Sequence, residues 1–369
     1  MIQSTISDLY KDDKKESLTE TDYEKANVLG EFFSSVFTQE PNDKLPDIQL
    51  KDCPIEDEID ITVELVKKKL DELVINKSPE PDQISPRILK ELSSTLALPI
   101  CIIFKNSIDT STLPDEWKTA HISAIYKKGD KKDAGNYRPV SLTCILCKLL
   151  KKIVREKMVK HMKNHNMFSE NQFGFISGRS TVLQLLAVLD KWTEILDRGG
   201  SIDVAYCDYM KAFNKVSHRR LVHKLKIYRF GNKFINWIEN FLSYRRQKFI
   251  VNGSESKWQP VTSGIPQGSV LGPMLFDITE NIENESQLYL YADDTKIFRE
   301  IALEKDKEML QQDIFSMSKR SDKWLLRFHP DKCKTMTIRN KKLGERTYKL
   351  RPDLKPMEIS HAEKDIGSP

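Results

Sequence analysis

The chain has 369 residues, 39% of them hydrophobic and 31% charged, so it could hold one large domain or two to three smaller ones. It contains no apolar run of about 18 residues, which excludes a membrane-spanning helix. We therefore do not expect the chain to bind a membrane. Six scattered cysteines in a lysine-rich chain argue against a secreted disulfide framework, and residues 1–10 lack a signal-peptide pattern. We therefore expect an intracellular protein, and the sequence does not choose between nucleus and cytoplasm.

The charge is unevenly distributed, although the net charge is only +5. Residues 1–65 hold 17 acidic against 6 basic residues, whereas residues 127–163 hold 12 basic against 3 acidic ones. Clustered lysines and arginines gain binding energy by releasing counterions from nucleic-acid phosphates, so the second segment is typical of a phosphate-facing surface. On charge alone, a solvated helix face is an equally good interpretation.

The N-terminal third is predicted to be helical, with a proline-containing linker. Thr21 can cap an amphipathic helix in ETDYEKANVLGEFFSSVF, and a second helix is predicted in ITVELVKKKLDELVINK. A proline-rich loop follows, and the next helix is expected to begin near Pro86. We therefore assign an acidic helical segment and linker to residues 1–60 and a helical segment to residues 61–114.

From residue 115 onwards, strand patterns alternate with helical ones, which predicts an α+β fold. Single strands are predicted in WKTAHISAIY and SIDVAYCDYM, and the second of these delivers Asp208 near its end. Two hairpins are predicted as well, one with Asn252-Gly253 at its turn and one with Asp293-Asp294 at its bend.

The helices of this part are predicted from their periodicity and caps. The stretch NYRPVSL is predicted to be a loop that leads into a long basic helix, and Ser180 or Thr181 is predicted to open the next helix. Cys144 and Cys147 have the C-x-x-C spacing of some zinc sites, but they lie in an apolar run without a second pair, so we interpret them as packing residues.

Two adjacent aspartates, Asp293 and Asp294, lie between apolar runs in YLYADDTKIF. Adjacent carboxylates repel each other and are costly to bury unpaired, so a positive charge is needed near them. If their strand neighbours that of Asp208, three carboxylates meet at one sheet edge, which suits Mg²⁺. Two such ions about 3.5–4 Å apart can promote an in-line phosphoryl transfer. On spacing alone, the alternative is a polar turn with an unrelated strand aspartate.

The ordered motifs of the chain resemble those of the reverse transcriptases of non-LTR (LINE-type) retrotransposons, in the jockey-like branch. The matching stretches are KSPEPDQISPRILKEL, WKTAHISAIYKKGDKKDAGNYRPVSLTCILCKLLKKIV, NQFGFISGRSTVLQLL, VAYCDYMKAFNKVSHRRLVHKL, GIPQGSVLGPMLF, LYADDTKIF, HPDKCKTM and EISHAEKDIG. The resemblance implies a right-hand polymerase core with an antiparallel palm sheet. Fingers and palm would occupy residues 115–344, the truncated start of a post-palm hairpin residues 345–369, and the thumb is expected to be missing.

The resemblance also implies roles for individual residues, each of which matches a family motif. The metal ligands, for Mg²⁺ or possibly Mn²⁺, would be Asp208, Asp293 and Asp294. The catalytic residues would be these three and Lys334, which would donate a proton to the leaving pyrophosphate. The incoming nucleotide would be bound by Lys127, Arg138, Phe213, Gln267 and Gly268. The template would be contacted by Lys148, Arg179 and Gly264. Each basic residue could instead be a surface charge, and Phe213, expected to exclude a 2′-hydroxyl, could be a core aromatic.

The implied function is RNA-directed DNA synthesis from deoxynucleoside triphosphates (dNTPs), with an RNA template and a DNA primer as partners. The chain departs from the family at Glu80 and Gln83, where glycines are usual, at Asn214, where aspartate is usual, and in DITENIENESQ before the aspartate pair. The altered palm segment and the expected lack of a thumb favour an alternative, an inactive decayed or domesticated copy that at most binds RNA, whereas the intact aspartate trio favours the enzyme. A carboxylate-pair hydrolase would not account for the ordered basic motifs.

Overall fold

The computed structural model describes residues 6–12, 14–47, 49–75, 82–266, 271–272, 274–275, 286–339 and 346–363. The chain forms two compact units, each with its own sheet. The first unit comprises Met1–Asn166 and Phe213–Gly272, and the second comprises Met167–Ala212 and Pro273–Pro369. The predicted α+β class is therefore confirmed. The domain boundaries predicted from the sequence follow the chain linearly, whereas these units are each built from two separate segments.

The helices of the described residues are α1 Asp22–Ser35, α2 Val63–Asp71, α3 Pro86–Glu91, α4 Ser93–Asp109, α5 Ile145–Asn164, α6 Thr181–Asp197, α7 Ala212–Lys215, α8 His218–Ile227, α9 Asn232–Leu242 and α10 Glu304–Lys323. Short 3₁₀ turns lie at Asp115–Lys118 and Ala134–Asn136. The predicted caps are present, since the Thr21 hydroxyl accepts from the Glu24 N–H and the Ser180 hydroxyl from the Leu183 N–H, each at 3.2 Å. None of the helices in the described residues is long and apolar enough to cross a bilayer.

The strands are β1 Thr119–Tyr126, β2 Tyr137–Leu142, β3 Ser201–Asp208, β4 Arg245–Val251, β5 Ser254–Glu255, β6 Gln259–Val261, β7 Gln287–Tyr291, β8 Asp294–Glu300, β9 Lys334–Arg339 and β10 Glu358–Ile359. The predicted β4–β5 hairpin is confirmed. Asn252 and Gly253 have φ values of 48° and 84°, as its two-residue turn requires.

The first sheet has the order β2-β1-β4-β5, and β6 pairs with the other part of β4. The prediction of a loop in NYRPVSL was wrong, because this stretch is β2, antiparallel to β1. Pro139 is tolerated there since β2 is an edge strand, where the missing N–H leaves no ladder bond unmade. Helix α1 covers one face of the sheet, and Phe33 stacks on Phe249 with ring centroids 5.4 Å apart.

The second sheet has the order β10-β9-β3-β8-β7 and is antiparallel except for the β9–β10 pair. Strand β3 is its centre and is almost completely buried, which explains why its residues are mostly apolar, although it also carries Asp203. Helix α6 packs its Trp192 and Ile195 side chains into the same core as Val204 and Phe298. The sheet therefore holds the C-terminal end of β3 in place between β8 and β9.

Candidate active site

Three aspartates lie at the same end of the second sheet. Asp208 is the last residue of β3, and its register partner on the antiparallel strand β8 is Asp294. Asp293 occupies the turn between β7 and β8 together with Ala292, whose φ is 55°. The bend is thus one residue earlier than the sequence predicted, because Asp294 already belongs to β8.

The carboxylate of Asp208 has a lysine beside it. Its Oδ2 atom lies 3.3 Å from Nζ of Lys332, and the Asp208 side chain is 35% exposed. The Asp208 carbonyl accepts a hydrogen bond from the His329 N–H at 2.8 Å, which fixes the end of β3 against the segment before β9. Lys332 therefore supplies a positive charge at the acidic cluster. The sequence reasoning missed it.

Lys334, the lysine predicted from the sequence to be catalytic, pairs with a different carboxylate. It opens β9 opposite Tyr206, and its Nζ lies 2.9 Å from Oε1 of Glu363. The hydrogen bond that the Lys334 ammonium donates to the Glu363 carboxylate raises the pKa of Lys334. HPDKCKTM contains two lysines two positions apart, and the motif by itself does not show which of them faces Asp208.

The donor set at this end of the sheet suits a hard cation. Mg²⁺ binds through one or two carboxylates and takes its other ligands from substrate phosphates and water. Within the described ranges, no group of three or more His, Cys, Asp or Glu side chains is arranged to hold a metal ion. The structure places Asp208 and Asp294 opposite each other at the ends of two paired strands. This arrangement fits a metal ion that takes its remaining ligands from a substrate.

Comparison with known proteins gives the family. A family model described as reverse transcriptase (RNA-dependent DNA polymerase) matches residues 125–358, more than half of the chain. The chain belongs to the reverse transcriptase family. The resemblance inferred from the sequence motifs is confirmed.

Similar proteins include products of Drosophila melanogaster mobile elements. The RNA-directed DNA polymerase from mobile element jockey is 28% identical over 299 residues, covering 76% of this chain and 32% of that protein. The probable RNA-directed DNA polymerase from transposon BS is 26% identical over 338 residues, covering 85% and 37%. The probable RNA-directed DNA polymerase from transposon X-element is 30% identical over 217 residues, covering 58% of this chain and 24% of that protein. The chain spans about a third of the length of the first two relatives.

Within this reverse transcriptase chain, the backbone of Gly264 and Ile265 is hydrogen-bonded to the segment that begins at Phe213. The Gly264 N–H donates to the Val216 carbonyl and the Ile265 N–H to the Phe213 carbonyl, both at 2.8 Å. Gly264 has a φ of 85°, and a Cβ there would lie 2.7 Å from the carbonyl oxygens of Phe213 and Asn214. Glycine is therefore required at this position. Gln267 and Gly268, predicted to bind the nucleotide, lie outside the described residues.

The basic residues predicted to bind nucleotide or template lie in different settings. Lys127 follows β1, where its N–H donates to the Asn136 carbonyl at 2.9 Å, and Arg138 is exposed on β2. Lys148 is half-buried on α5. Arg179 donates to the carbonyls of Ser169 and Gln172, so its guanidinium organises a loop. The roles of these residues stay predictions.

Lys151 and Arg245 are among the buried cations of the first unit, and no local pattern of the sequence predicts their burial. Lys151 is fully buried, with Nζ 3.2 Å from the Thr143 hydroxyl and 5.4 Å from the Phe241 ring centroid. Arg245 donates to the Phe241 carbonyl at 3.1 Å and lies 4.7 Å from the same ring centroid. Burial lowers the pKa of Lys151 and lowers that of Arg245 to about 10. Lys151 is therefore one base of the segment 127–163 that does not face solvent.

The C-x-x-C pair is also buried, as its apolar surroundings predicted. The Cys144 sulfur accepts from the Cys147 N–H at 3.3 Å and caps α5. The neighbouring Cys144 thiol, together with the charges of Lys151 and Arg245, lowers the pKa of the Cys147 thiol.

Proposed function

We propose that the chain catalyses RNA-directed DNA synthesis. The 3′-hydroxyl oxygen of a DNA primer attacks the α-phosphate of a dNTP. A new bond forms between this oxygen and the α-phosphorus, and the bond from the α-phosphorus to the oxygen that bridges to the β-phosphate breaks. Pyrophosphate leaves, and the hydroxyl proton is released to water. The second sheet is assigned to the palm and the first to the fingers.

The observation that carries this proposal is the register of β3 on β8. It places Asp208 opposite Asp294, with Asp293 in the adjoining turn, at the end of the sheet where Asp208 is partly open to solvent. Carboxylates buried in a core would be unable to receive a ligand, whereas these lie where strands end. In a chain of the reverse transcriptase family, this is the arrangement expected of phosphoryl-transfer chemistry.

Asp208 and Asp293 are proposed to hold Mg²⁺, or Mn²⁺ in its place, with Asp294 supporting the geometry. When bound, the metal supplies Lewis-acid stabilisation of the phosphoryl group. Lys332 is proposed to neutralise Asp208 in the metal-free chain, because its ammonium is the cation 3.3 Å away. Lys334 keeps its proposed role as proton donor to pyrophosphate. Its raised pKa would keep the lysine protonated until it donates.

Most of the residues proposed to bind the substrates belong to the first unit, and Arg179 belongs to the second. Residues assigned to the nucleotide are Lys127, Arg138, Phe213, Gln267 and Gly268. Residues assigned to the template are Lys148, Arg179 and Gly264. An arginine can bind a phosphate through two parallel hydrogen bonds, which suits the exposed Arg138. The rigid backbone between Phe213 and Gly264 would fix the Phe213 ring against the sugar.

Binding of RNA or of a hybrid duplex is proposed for the basic segment 127–163, with its excess of basic residues. The logarithm of the affinity should then fall with the logarithm of salt concentration, with a slope of roughly −0.9 for each duplex phosphate contacted. Fluorescence anisotropy between low and moderate salt measures this slope. A flat response would remove the nucleic-acid proposal.

The deciding experiment for the activity is primer extension on poly(rA)/oligo(dT) by the purified chain, with Mg²⁺ or Mn²⁺ and with a chelator. We expect metal-dependent extension. If no extension occurs with either metal while the chain still binds RNA in a salt-dependent manner, the inactive-copy alternative is correct. Loss of both extension and binding would contradict both functions.

A further inference from the structure

The segment Asn171–Gly174, which the proposed chemistry does not use, runs beside the aspartate turn. The Leu290 N–H donates to the Asn171 carbonyl and the Phe173 N–H donates to the Leu290 carbonyl, both at 2.8 Å. These bonds form an isolated parallel bridge to β7, two residues before the turn begins. The segment is therefore attached to the strand that leads into Asp293.

The side chain of Gln172 holds the turn itself. It is 2% exposed. Its Oε1 accepts from the Ala292 N–H at 3.0 Å and from the Gly174 N–H at 2.7 Å, and its Nε2 donates to the Ala292 carbonyl at 3.4 Å. One amide thus binds both backbone polar groups of the residue before Asp293.

Ala292 needs such support because of its conformation. Its φ of 55° lies in the left-handed region, which is unfavourable for a residue with a Cβ. A strained backbone persists where its surroundings fix it. The direction of Asp293 from the sheet depends on this one residue, so whatever fixes Ala292 also fixes Asp293.

Gly174 allows the close approach. A Cβ built on it would lie 2.3 Å from the Ala292 nitrogen and 3.1 Å from its Cα, and neither backbone atom can move without moving the turn. Arg179 completes the support, since it donates to the carbonyl of Gln172 and, at 2.5 Å, to that of Ser169. The Gln172 backbone is therefore held by Arg179 as well as by its own hydrogen bonds to the turn.

We infer that Gln172 is a positioning residue for the aspartate pair, and that Gly174 provides the space it needs. This inference rests on the proposed function, because it gives Gln172 a role in polymerisation through Asp293. A purely structural glutamine would be needed for folding but would not alter metal binding or extension once the chain is folded.

The test compares Gln172→Met and Gly174→Ala with Gln184→Met, which removes an equally buried glutamine from α6 in the same unit. Hydrogen–deuterium exchange of the peptide around Ala292 is measured first. Gln172→Met should speed exchange of the Ala292 amide, and Gln184→Met should not. Unchanged exchange in Gln172→Met would overturn the inference, whether or not the chain is a polymerase.

Metal binding and extension are measured next, at a temperature where all variants are folded. The Mn²⁺ concentration giving half of the thermal shift should rise about tenfold in Gln172→Met and Gly174→Ala, and extension should slow about a hundredfold, as for a misplaced catalytic group. Equal values in Gln172→Met and Gln184→Met would overturn the positioning role. If the unsubstituted chain shows a Mn²⁺ shift without extension, the proposed function fails and the Mn²⁺ comparison still decides the inference. If it shows no Mn²⁺ shift, the inference fails together with the site.

Discussion

Strand β3 carries two aspartates, and their surroundings are opposite. Asp203 is 1% exposed, and its Oδ2 accepts from the Tyr348 hydroxyl at 2.5 Å and from Arg346 at 3.2 Å. Asp208, five residues later, is 35% exposed and has beside it Lys332, itself 58% exposed. A buried acid bound by two fixed donors stabilises the fold. A partly exposed acid beside an exposed lysine can exchange that partner for a ligand.

The largest effect on extension is expected at the exposed end of β3, from Asp208→Asn. If this carboxylate binds the metal, its loss should cost about 4 kcal/mol of transition-state stabilisation and slow extension roughly a thousandfold. The melting midpoint should change little, because exposed ion pairs contribute at most about 1 kcal/mol. Single-nucleotide extension and thermal melting measure the two quantities.

The matched control for Asp208→Asn is Asp197→Asn, which removes an exposed aspartate at the end of α6. It should leave both extension and melting unchanged. Comparable extension rates in the two variants would show that Asp208 is an ordinary surface acid, and the comparison between the two aspartates would then have no functional meaning.

The opposite pattern is expected from Asp203→Asn. This change leaves Arg346 buried without a counterion, which typically costs about 3 kcal/mol of unfolding free energy. Urea denaturation measures the loss. The extension rate per folded molecule should stay close to that of the unsubstituted chain, so a folded Asp203→Asn chain that cannot extend a primer would contradict the division of roles.

The stability contributed by the buried pair of Asp203 and Tyr348 should also depend on pH in the alkaline range. Burial, together with the hydrogen bond to Asp203, raises the pKa of Tyr348 above its ordinary value of 10.0. Above pH 10 the unfolded chain therefore loses this proton before the folded one does, and the unfolding free energy falls as pH rises. The slope contributed by one such group approaches about 1.4 kcal/mol per pH unit.

The measurement is urea denaturation between pH 9 and 11 for the unsubstituted chain and for Tyr348→Phe. Other groups titrate in both chains, so only the difference between the two slopes is informative. The phenylalanine chain should be less stable at pH 9 but should lose stability less steeply. Identical slopes would show that Tyr348 ionises equally easily in both states.

Much of the fold follows from local signals in the sequence. Thr21 and Ser180 cap helices because a hydroxyl binds the next free N–H groups, and Asn252-Gly253 forms a turn because both residues tolerate positive φ. The paired acids at a sheet edge follow from an apolar strand that ends at Asp208 and from a hairpin centred on Asp293. These signals depend on neighbours within a few positions.

The rest depends on contacts between distant segments. NYRPVSL forms a strand only because β1 pairs with it. Lys151 is buried only because its side of α5 packs against residues distant in the sequence, Phe241 among them. Which lysine of HPDKCKTM faces Asp208 is decided by how the segment before β9 meets the end of β3. Gln172 gave no signal at all, since its partner Ala292 is 120 positions away along the chain.

The smallest effect should come from the lysine at the exposed end. We expect Lys332→Met to change the unfolding free energy by less than about 1 kcal/mol, because the pair is largely in water. Arg346→Met, beside the buried Asp203, should cost several times more, since it leaves Asp203 buried without its cation.

Removing the Lys332 charge should also lower the Mn²⁺ concentration needed for half of the thermal shift, because the ammonium no longer competes for Asp208. Lys334→Met, whose lysine pairs with Glu363, is the control and should leave that concentration unchanged. If Lys332→Met destabilises the chain as much as Arg346→Met, then Asp208 is a second structural acid, and the two ends of β3 do not differ in the way that the proposed chemistry requires.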